Sequence, residues 1–180
     1  MLSIEDNFVF HKEDTIVVGC SAGPDSMALI DMLLRIREKY SLNLIVAHVN
    51  HNLRKQSVQE EEYLRNYCEK KKVMFECMMI TEYGDDNFHN EARNIRYDFF
   101  KDVAFKYHAR YIMTAHHADD LMETILMRIG RGASFGGYAG FSEESEFRGK
   151  ILVRPLIFVT KKDILEYNEK YGIVFANDYT

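Results

Sequence analysis

The residues most capable of chemistry begin with Ser21–Ser26, which reads Ser-Ala-Gly-Pro-Asp-Ser and follows a short apolar run. Small residues let the backbone approach a ligand closely, and the two serine hydroxyls can donate hydrogen bonds. A helix that starts here would add unpaired N–H groups and the positive end of its dipole. Ser21, Ala22, Gly23, Pro24, Asp25 and Ser26 are therefore predicted to hold an anion, with a phosphate chain as the best fit.

Asp25 is unexpected beside phosphates, because a carboxylate repels them unless a cation lies between. Its presence indicates Mg²⁺ or an amine. The alternative is that Asp25 or Ser26 merely caps the helix. The stretch is neither a Walker A motif nor G-x-G-x-x-G, so the local sequence leaves both interpretations open.

A second polar stretch, Ala47–Arg54, reads Ala-His-Val-Asn-His-Asn-Leu-Arg and follows another apolar run. Ala47, His48 and His51 are its candidates for contact with the same ligand. His48 could equally face the interior of a sheet, because side chains alternate along a strand.

A third stretch, Thr114–Thr124, places His116 and His117 directly before Asp119 and Asp120. Asp120 and Glu123 are three positions apart, so they would share one helix face, and Asp119 could cap that helix. Acidic residues in a first helical turn need no function, since they complement the dipole. That explains one or two carboxylates, but not paired histidines beside them. Zinc is disfavoured because the H-E-x-x-H spacing is absent.

Two arginines, Arg93 and Arg96, lie three positions apart near the start of a further predicted helix. On one helix face they could reach phosphates. The alternative is a solvated face on which they pair with nearby acidic residues.

Short apolar runs alternate with longer amphipathic stretches along the chain. Strands are predicted at Thr15–Cys20, Asn43–Val49, Val73–Ile80, Tyr111–Ala115 and Ile151–Val153. Helices are predicted at Met27–Tyr40, Ser57–Lys72, Asn90–Tyr107, Asp119–Ile129 and Thr160–Tyr171, with Ser57 and Glu60 forming a capping box. This alternation predicts an α/β fold, a Rossmann-like three-layer sandwich with a mostly parallel five-stranded sheet. Ligands then bind at the carboxyl ends of the strands, where the strand order reverses.

Two segments interrupt the alternation. Tyr83–His89 is polar and is predicted to be a loop, and glycine-rich Gly130–Lys150 is predicted to be a long flexible connection. The 180 residues, 47% hydrophobic, suffice for a single domain over 1–180.

The net charge of −5 disfavours a nucleic-acid coat protein without excluding a local basic groove. Three cysteines without CxxC spacing fit a reducing compartment. No apolar run approaches the roughly 18 residues of a membrane span. A cytoplasmic protein is therefore predicted.

Taken together, these stretches resemble the PP-loop (N-type) ATP pyrophosphatases, whose fold is the adenine nucleotide alpha-hydrolase type. Within them the chain is most similar to the tRNA(Ile)-lysidine synthetases. Ser21–Ser26 resembles their SGGxDS, Ala47–Arg54 their AHVNHxLR, and Thr114–Thr124 their TAHHxDDxxET. Glu91–Tyr97 matches E-x-R-x-x-R-Y. Two later motifs of the family are also matched. Its RPLL followed by a lysine corresponds to Arg154-Pro155-Leu156 and Lys161, and the start of its D-x-[ST]-N corresponds to Asp178–Thr180.

The resemblance implies an ATP- and Mg²⁺-dependent reaction on tRNA(Ile) with a CAU anticodon. C2 of the wobble cytidine is adenylated, and free L-lysine then displaces AMP. Asp25, Asp120 and Glu123 would hold lysine and metal, His116 would polarise or transfer a proton, and Arg96 would stabilise charge. No metal site made of protein ligands alone is predicted.

The chain departs from this family in two ways. Ala22 replaces a usual glycine, which is tolerable if its φ is negative. The C-terminal tRNA-binding domains of the family are absent, so weak tRNA binding is expected, and a homodimer is left open. The rival interpretations are a tRNA thiolase, which would need paired cysteines, and a nucleotide-binding module without catalysis.

Overall fold

The computed structural model describes residues 2–51, 56–80, 88–130 and 143–176. Strands and helices alternate through these residues after a short 3₁₀ helix at Ile4–Asp6. The strands are β1 Thr15–Gly19, β2 Asn43–Asn50, β3 Met74–Met79, β4 Tyr111–Met113, β5 Glu144–Phe147 and β6 Lys150–Val153. The helices are α1 Pro24–Tyr40, α2 Gln56–Lys71, α3 Phe88–Lys106, α4 Ala118–Gly130 and α5 Lys161–Tyr171.

One sheet joins all six strands, in the order β3-β2-β1-β4-β6-β5. Every neighbouring pair is parallel except β5 and β6. The strand order reverses between β1 and β4, because the chain runs from β1 outward to β3 and then crosses to β4 on the other side of β1. Such a reversal opens a crevice at the carboxyl ends of the two strands.

Alternate residues of β1 point to opposite faces and enter two separate cores. Ile16 and Val18 pack with buried side chains of α1, α2 and α5. Val17 packs on the other face with Phe100, Val103 and Ala104 of α3. Covering both faces lets a parallel strand be apolar throughout. The predicted α/β class, the three layers and the mostly parallel sheet are confirmed.

The sheet has six strands, and the prediction of five was wrong. The additional strand is β5, within the segment Gly130–Lys150 that was expected to be a flexible connection. It pairs antiparallel with β6 through a tight turn at Arg148 and Gly149, both with positive φ (50° and 79°). Two positive φ values are typical of a hairpin turn whose twist matches the strands. The rest of that segment, 131–142, lies outside the described residues.

Several predicted boundaries shift by a few residues. α1 begins at Pro24 rather than Met27, and α2 begins at Gln56, so Ser57 lies inside the helix and is not its cap. α3 begins at Phe88, inside the loop predicted over Tyr83–His89. The described residues do not include 83–87 of that loop, 52–54 of the second polar stretch, or Asp178–Thr180.

None of the described helices is both long and apolar enough to cross a membrane.

Candidate active site

A cavity of about 320 Å³ opens where β1, β2 and β4 end. Its wall also includes the loop after β1, the first turns of α1, α2 and α4, one side of α3, and Ala176. The topology therefore brings together the three polar stretches, as expected. Of the predicted residues, those lining the cavity are Ser21, Gly23, Asp25, Ser26, His48, His51, Arg96, His116 and Asp120. Ala22, Pro24, Ala47 and Glu123 do not line it.

The N-terminus of α1 carries no side-chain cap. Its N-cap is Gly23, and no side chain accepts a capping hydrogen bond there. The alternative in which Asp25 or Ser26 caps the helix is therefore wrong. Ser26 instead shapes the loop, because its Oγ accepts from the Ser21 N–H (3.3 Å) and donates to the Gly23 carbonyl (3.1 Å). An uncapped helix start leaves N–H groups that suit an anion.

Ala22 has a φ of 66°, so the negative φ that would make its methyl tolerable is not found. A left-handed conformation costs an alanine about 1–2 kcal/mol. The surrounding chain holds it there, since the Ala22 carbonyl accepts from the Ala176 N–H at 2.9 Å. Two residues further on, the Pro24 carbonyl accepts from the Asn168 side chain of α5 at 3.0 Å. Ala22 and Pro24 thus contribute through loop shape.

An ammonium group of the protein itself lies beside Asp25. Lys161 Nζ, at the start of α5, donates to Asp25 Oδ1 at 2.5 Å. The other oxygen, Oδ2, is 3.8 Å from His117 Nε2. The sequence indicated that Asp25 needs a cation or an amine, and the folded chain supplies one from 136 positions away.

Asp120 contacts the same imidazole as Asp25. Its Oδ2 accepts from the His117 backbone N–H at 2.9 Å and lies 3.6 Å from His117 Nε2. The carboxylates of Asp25 and Asp120 thus both approach Nε2 of one buried histidine that the sequence analysis did not select. Glu123, one turn further along α4, is exposed.

The predicted helix cap Asp119 has a different role. Because α4 begins at Ala118, Asp119 lies within its first turn. Its Oδ2 accepts from the Lys161 backbone N–H at 3.1 Å. Asp119 therefore fixes the position of Lys161, the first residue of α5. The side chain of this lysine is the one that reaches Asp25.

His48 is buried and lines the cavity, with only 3% of its surface exposed. Its Nδ1 must donate to the Cys20 carbonyl at 2.8 Å, which leaves Nε2 as an acceptor. Nε2 has no hydrogen-bond partner within the described part of the chain. Burial lowers the pKa of His48, so the ring is neutral at pH 7. A ligand N–H or O–H can therefore bind to Nε2.

The residues beside His48 differ in what they contribute. The Ala47 carbonyl accepts from the Cys20 N–H at 2.9 Å and so extends the β1–β2 pairing. Burial is the main cause that lowers the pKa of His51, and the nearby Arg96 and His48 lower it further. Asn50, only 1% exposed, donates to Glu61 Oε2 at 3.0 Å. Asn50 lines the cavity and was missed as a site residue, although it belongs to the second polar stretch.

His116 is neutral at physiological pH. Burial is the main cause that lowers its pKa to about 4, Asp120 opposes the shift, and Arg154, Arg96 and Arg93 add to it. Its Nδ1 lies 2.9 Å from Thr114 Oγ1. Burial, with a smaller effect of Arg93, also lowers the pKa of Arg96.

Acid should destabilise the folded chain through His116. Its pKa is about 4 when folded and 6.5 as a free side chain, so between these values the unfolded state binds more protons. Stability is therefore present above pH 6.5 and is lost as pH falls, by up to about 1.4 kcal/mol per pH unit. Urea unfolding at pH 7, 6 and 5 should give a shallower pH dependence for His116→Asn than for the unmodified chain.

The matched control is His108→Asn, since His108 is exposed and asparagine tolerates its φ of 54°. This variant should keep the original pH dependence. Identical slopes for both variants would show that His116 is not held neutral by the fold.

The fold and this site define a doubly wound α/β domain with an uncapped helix start after its first strand, at the switch point of the sheet. A protein-family model described as the PP-loop domain matches residues 2–180, and the chain belongs to that family.

Curated relatives carry one common name. The chain is 41% identical over 172 residues to a tRNA(Ile)-lysidine synthase of Enterococcus faecalis. The aligned region covers 95% of this chain and 37% of that protein. It is 38% identical over 178 residues to a protein of the same name from Clostridium tetani, covering 96% and 38%. The chain thus spans little more than a third of the length of these relatives.

Solved structures support the fold. A U34-tRNA thiolase from Methanococcus maripaludis, which carries a [4Fe-4S] cluster, superposes with a TM-score of 0.82 at 16% identity, over 98% of this chain and 64% of the other. An NMN synthetase from Francisella tularensis gives 0.60 at 14% identity, over 90% and 63%.

Proposed function

We propose that this chain is the catalytic region of a tRNA(Ile)-lysidine synthase. The observation that carries the proposal is the pair Asp25 and Asp120, whose carboxylates both lie within 3.8 Å of His117 Nε2, beside an uncapped helix start. A phosphate site next to two carboxylates suits a reaction that joins a nucleotide to an amine. The curated relatives, which match nearly the whole chain, bear that name.

The proposal assigns ATP to the main cavity. The N–H groups at the start of α1 and the hydroxyls of Ser21 and Ser26 would hold its phosphates, and Nε2 of His48 would accept a hydrogen bond from it. Mg²⁺ usually binds through one or two carboxylates completed by substrate phosphates and water. Asp25 and Asp120 fit that pattern, and the ion would neutralise the departing pyrophosphate. No group of three or more metal-ligating side chains occurs among the described residues, so the phosphates must complete the shell.

The chemistry would proceed in two displacements. The C2 oxygen of the wobble cytidine of tRNA(Ile) attacks the α-phosphorus of ATP, and pyrophosphate leaves. The amine of free lysine, after losing a proton, attacks C2, and AMP leaves with the former C2 oxygen. Asp25 and Asp120 would attract the ammonium group of lysine, and Arg96 would stabilise negative charge. Glu123 is assigned to lysine or metal through the family resemblance.

His116 fits one of its two predicted roles better. A ring whose pKa is about 4 retains a proton poorly at pH 7. It can still donate or accept a hydrogen bond as a neutral group. His116 is therefore proposed to polarise the substrate rather than to store the proton of the amine.

The three cysteines disfavour a thiolase. Thiolates, not thiols, bind iron or attack sulfur carriers. Burial raises the pKa of Cys20 to about 11, and of Cys68 and Cys77 to about 12. The likeness to the thiolase structure, at 16% identity, shows a shared fold. A tRNA substrate would agree with the predicted cytoplasmic location.

Pyrophosphate release tests the proposal. The chain is incubated at high micromolar concentration with ATP, Mg²⁺, lysine and tRNA(Ile). Release should require tRNA(Ile), and replacing the wobble cytidine with uridine should abolish it. Release beyond one equivalent per tRNA-bound enzyme, and release of AMP, should also require lysine, because lysine displaces AMP only in the second step. AMP release that needs no lysine, or no pyrophosphate with all components present, would reject the proposal.

A further inference from the structure

The chain that follows α5 turns back toward the loop after β1. Gly172 ends α5 in a left-handed conformation, with a φ of 62°. Residues 172–176, termed the strap, then pass α2 and reach that loop. Ala176, at the far end of the strap, lines the main cavity. The strap therefore joins the last described helix to the cavity in which the nucleotide is proposed to bind.

Hydrogen bonds hold the strap at its middle and at its end. The Tyr63 hydroxyl of α2 donates to the Val174 carbonyl at 2.7 Å. The Ala176 N–H donates to the Ala22 carbonyl at 2.9 Å. Phe175, which lies between these two contacts, is partly buried and packs against the core that α1, α2 and α5 cover. Tyr63 is thus connected, through the strap, to the loop after β1.

Ala22 is the residue of this loop that most needs such support. Its φ of 66° is left-handed, which is unfavourable for any residue that carries a Cβ. In an unsupported loop an alanine would favour negative φ, whereas glycine adopts either sign about equally. The bond from Ala176 stabilises the left-handed arrangement because it holds the carbonyl of Ala22 in one direction.

The direction of the Ala22 carbonyl also sets the direction of the N–H that follows. Both belong to one planar trans peptide group, in which they point opposite ways. That N–H, of Gly23, donates to Ser21 Oγ at 3.4 Å, and Gly23 and Ser21 both line the main cavity. A change of φ at Ala22 would turn this peptide group relative to β1. The Gly23 N–H would turn with it and leave its place beside the cavity.

We propose that Tyr63 is a positioning residue for the bound nucleotide, because it holds the strap that keeps Ala22 left-handed. The presence of ATP in the main cavity rests on the proposed function. Tyr63 is not part of the wall of that cavity, so it acts through the strap. A ligand that binds only the left-handed loop has its apparent affinity lowered when less of the protein is in that state.

Tyr63→Phe tests this role, because it removes the hydroxyl and keeps the ring. Titration calorimetry of the full chain with ATP and Mg²⁺ should give a dissociation constant raised about threefold to tenfold, the usual effect of losing one hydrogen bond. Hydrogen exchange of the Ala176 N–H, followed by NMR without nucleotide, should become faster by a similar factor. The reason is that the strap opens more often once the contact to Val174 is lost.

The matched control is Tyr40→Phe. The Tyr40 hydroxyl also forms a hydrogen bond of 2.7 Å, to Glu5 Oε1. Tyr40 is the last residue of α1, at the opposite end of that helix from the loop after β1. This variant should therefore leave both the ATP affinity and the exchange rate of Ala176 unchanged.

Ala22→Gly provides a second test, specific to the proposed route. Glycine adopts a φ near 66° without strain, and that relief outweighs the loss of one buried methyl group. The loop then depends less on the strap. In the Ala22→Gly background, Tyr63→Phe should weaken ATP binding by less than about twofold, so the two substitutions are not additive.

Several results would overturn the proposal. They are full ATP affinity in Tyr63→Phe, an unchanged exchange rate of Ala176 in that variant, or an equal loss of affinity with alanine and with glycine at position 22. Absence of ATP binding by the unmodified chain would instead reject the proposed function. The exchange rates alone would then decide whether Tyr63 controls the loop.

Discussion

Asp25→Asn is expected to lower pyrophosphate release by at least about 100-fold while the chain remains folded. The substitution removes one negative charge beside the phosphate site and keeps the shape of the side chain. Losing a preorganised electrostatic contact to a reacting group typically costs about 2.7–4 kcal/mol of transition-state stabilisation. Asp25 lies at the start of α1, so the reacting phosphates would be close to it. Release of labelled pyrophosphate, with thermal unfolding in parallel, measures both effects.

A structural role for Asp25 predicts a different result, and Lys161 distinguishes the two. If Asp25 served only to pair with Lys161 Nζ, then Lys161→Met would break the same contact and reduce turnover equally. The double variant would then add nothing. The pair is partly exposed, 36% for Lys161 and 25% for Asp25, so its loss should change stability little.

We expect Asp25→Asn to abolish turnover in the Lys161→Met background as well. We also expect Lys161→Met alone to retain more activity than Asp25→Asn alone. Equal losses in all three variants would reduce Asp25 to an ion-pair partner. Retained turnover in Asp25→Asn would remove it from the chemistry altogether.

Gly19→Ala is expected to lower the free energy of unfolding by about 1–3 kcal/mol, the usual cost of forcing a methyl group into a packed core. A Cβ at Gly19 would lie 2.5 Å from Phe100 Cε2 and 2.7 Å from its Cζ. Phe100 is 3% exposed and sits on α3, so the ring cannot swing into solvent. Urea unfolding measures the change.

Gly23→Ala is the matched control, because its Cβ would meet only Ser21 Oγ at 3.3 Å. It should change stability far less. Adding Phe100→Leu to Gly19→Ala should make the double variant more stable than the sum of the two single effects, since the smaller side chain relieves the clash. Strict additivity would show that the contact with Phe100 is not the cause.

The sequence could predict the central strands of the sheet because β1, β2 and β4 are buried on both faces. Runs such as Thr15–Gly19 and Asn43–Asn50 are apolar and end at polar clusters, which is the signature of a central strand. β5 gave no such signature. It is a four-residue edge strand with two glutamates, and it is a strand because β6 pairs with it. The dipeptide Arg148-Gly149 was its only local signal.

The site was predictable where it follows strand ends and not where it depends on distant pairing. Ser21–Ser26 and His116 could be located because a doubly wound sheet gathers its strand ends. Lys161 matched a family motif, but no spacing indicates that it reaches Asp25 across 136 positions. His117 was passed over for its neighbour, since burial and contact to two carboxylates appear only in the folded chain.

The internal ammonium of Lys161 has a consequence for any cation that binds at Asp25. It competes from within the same molecule, so its effective concentration is fixed by the fold and does not fall on dilution. An incoming cation gains only the difference between its own attraction to the carboxylate and that of Lys161. Its apparent dissociation constant equals the intrinsic constant divided by the fraction of time that Lys161 leaves Oδ1 free. Occupying Asp25 therefore takes a higher concentration of an external cation than an unpaired carboxylate would need.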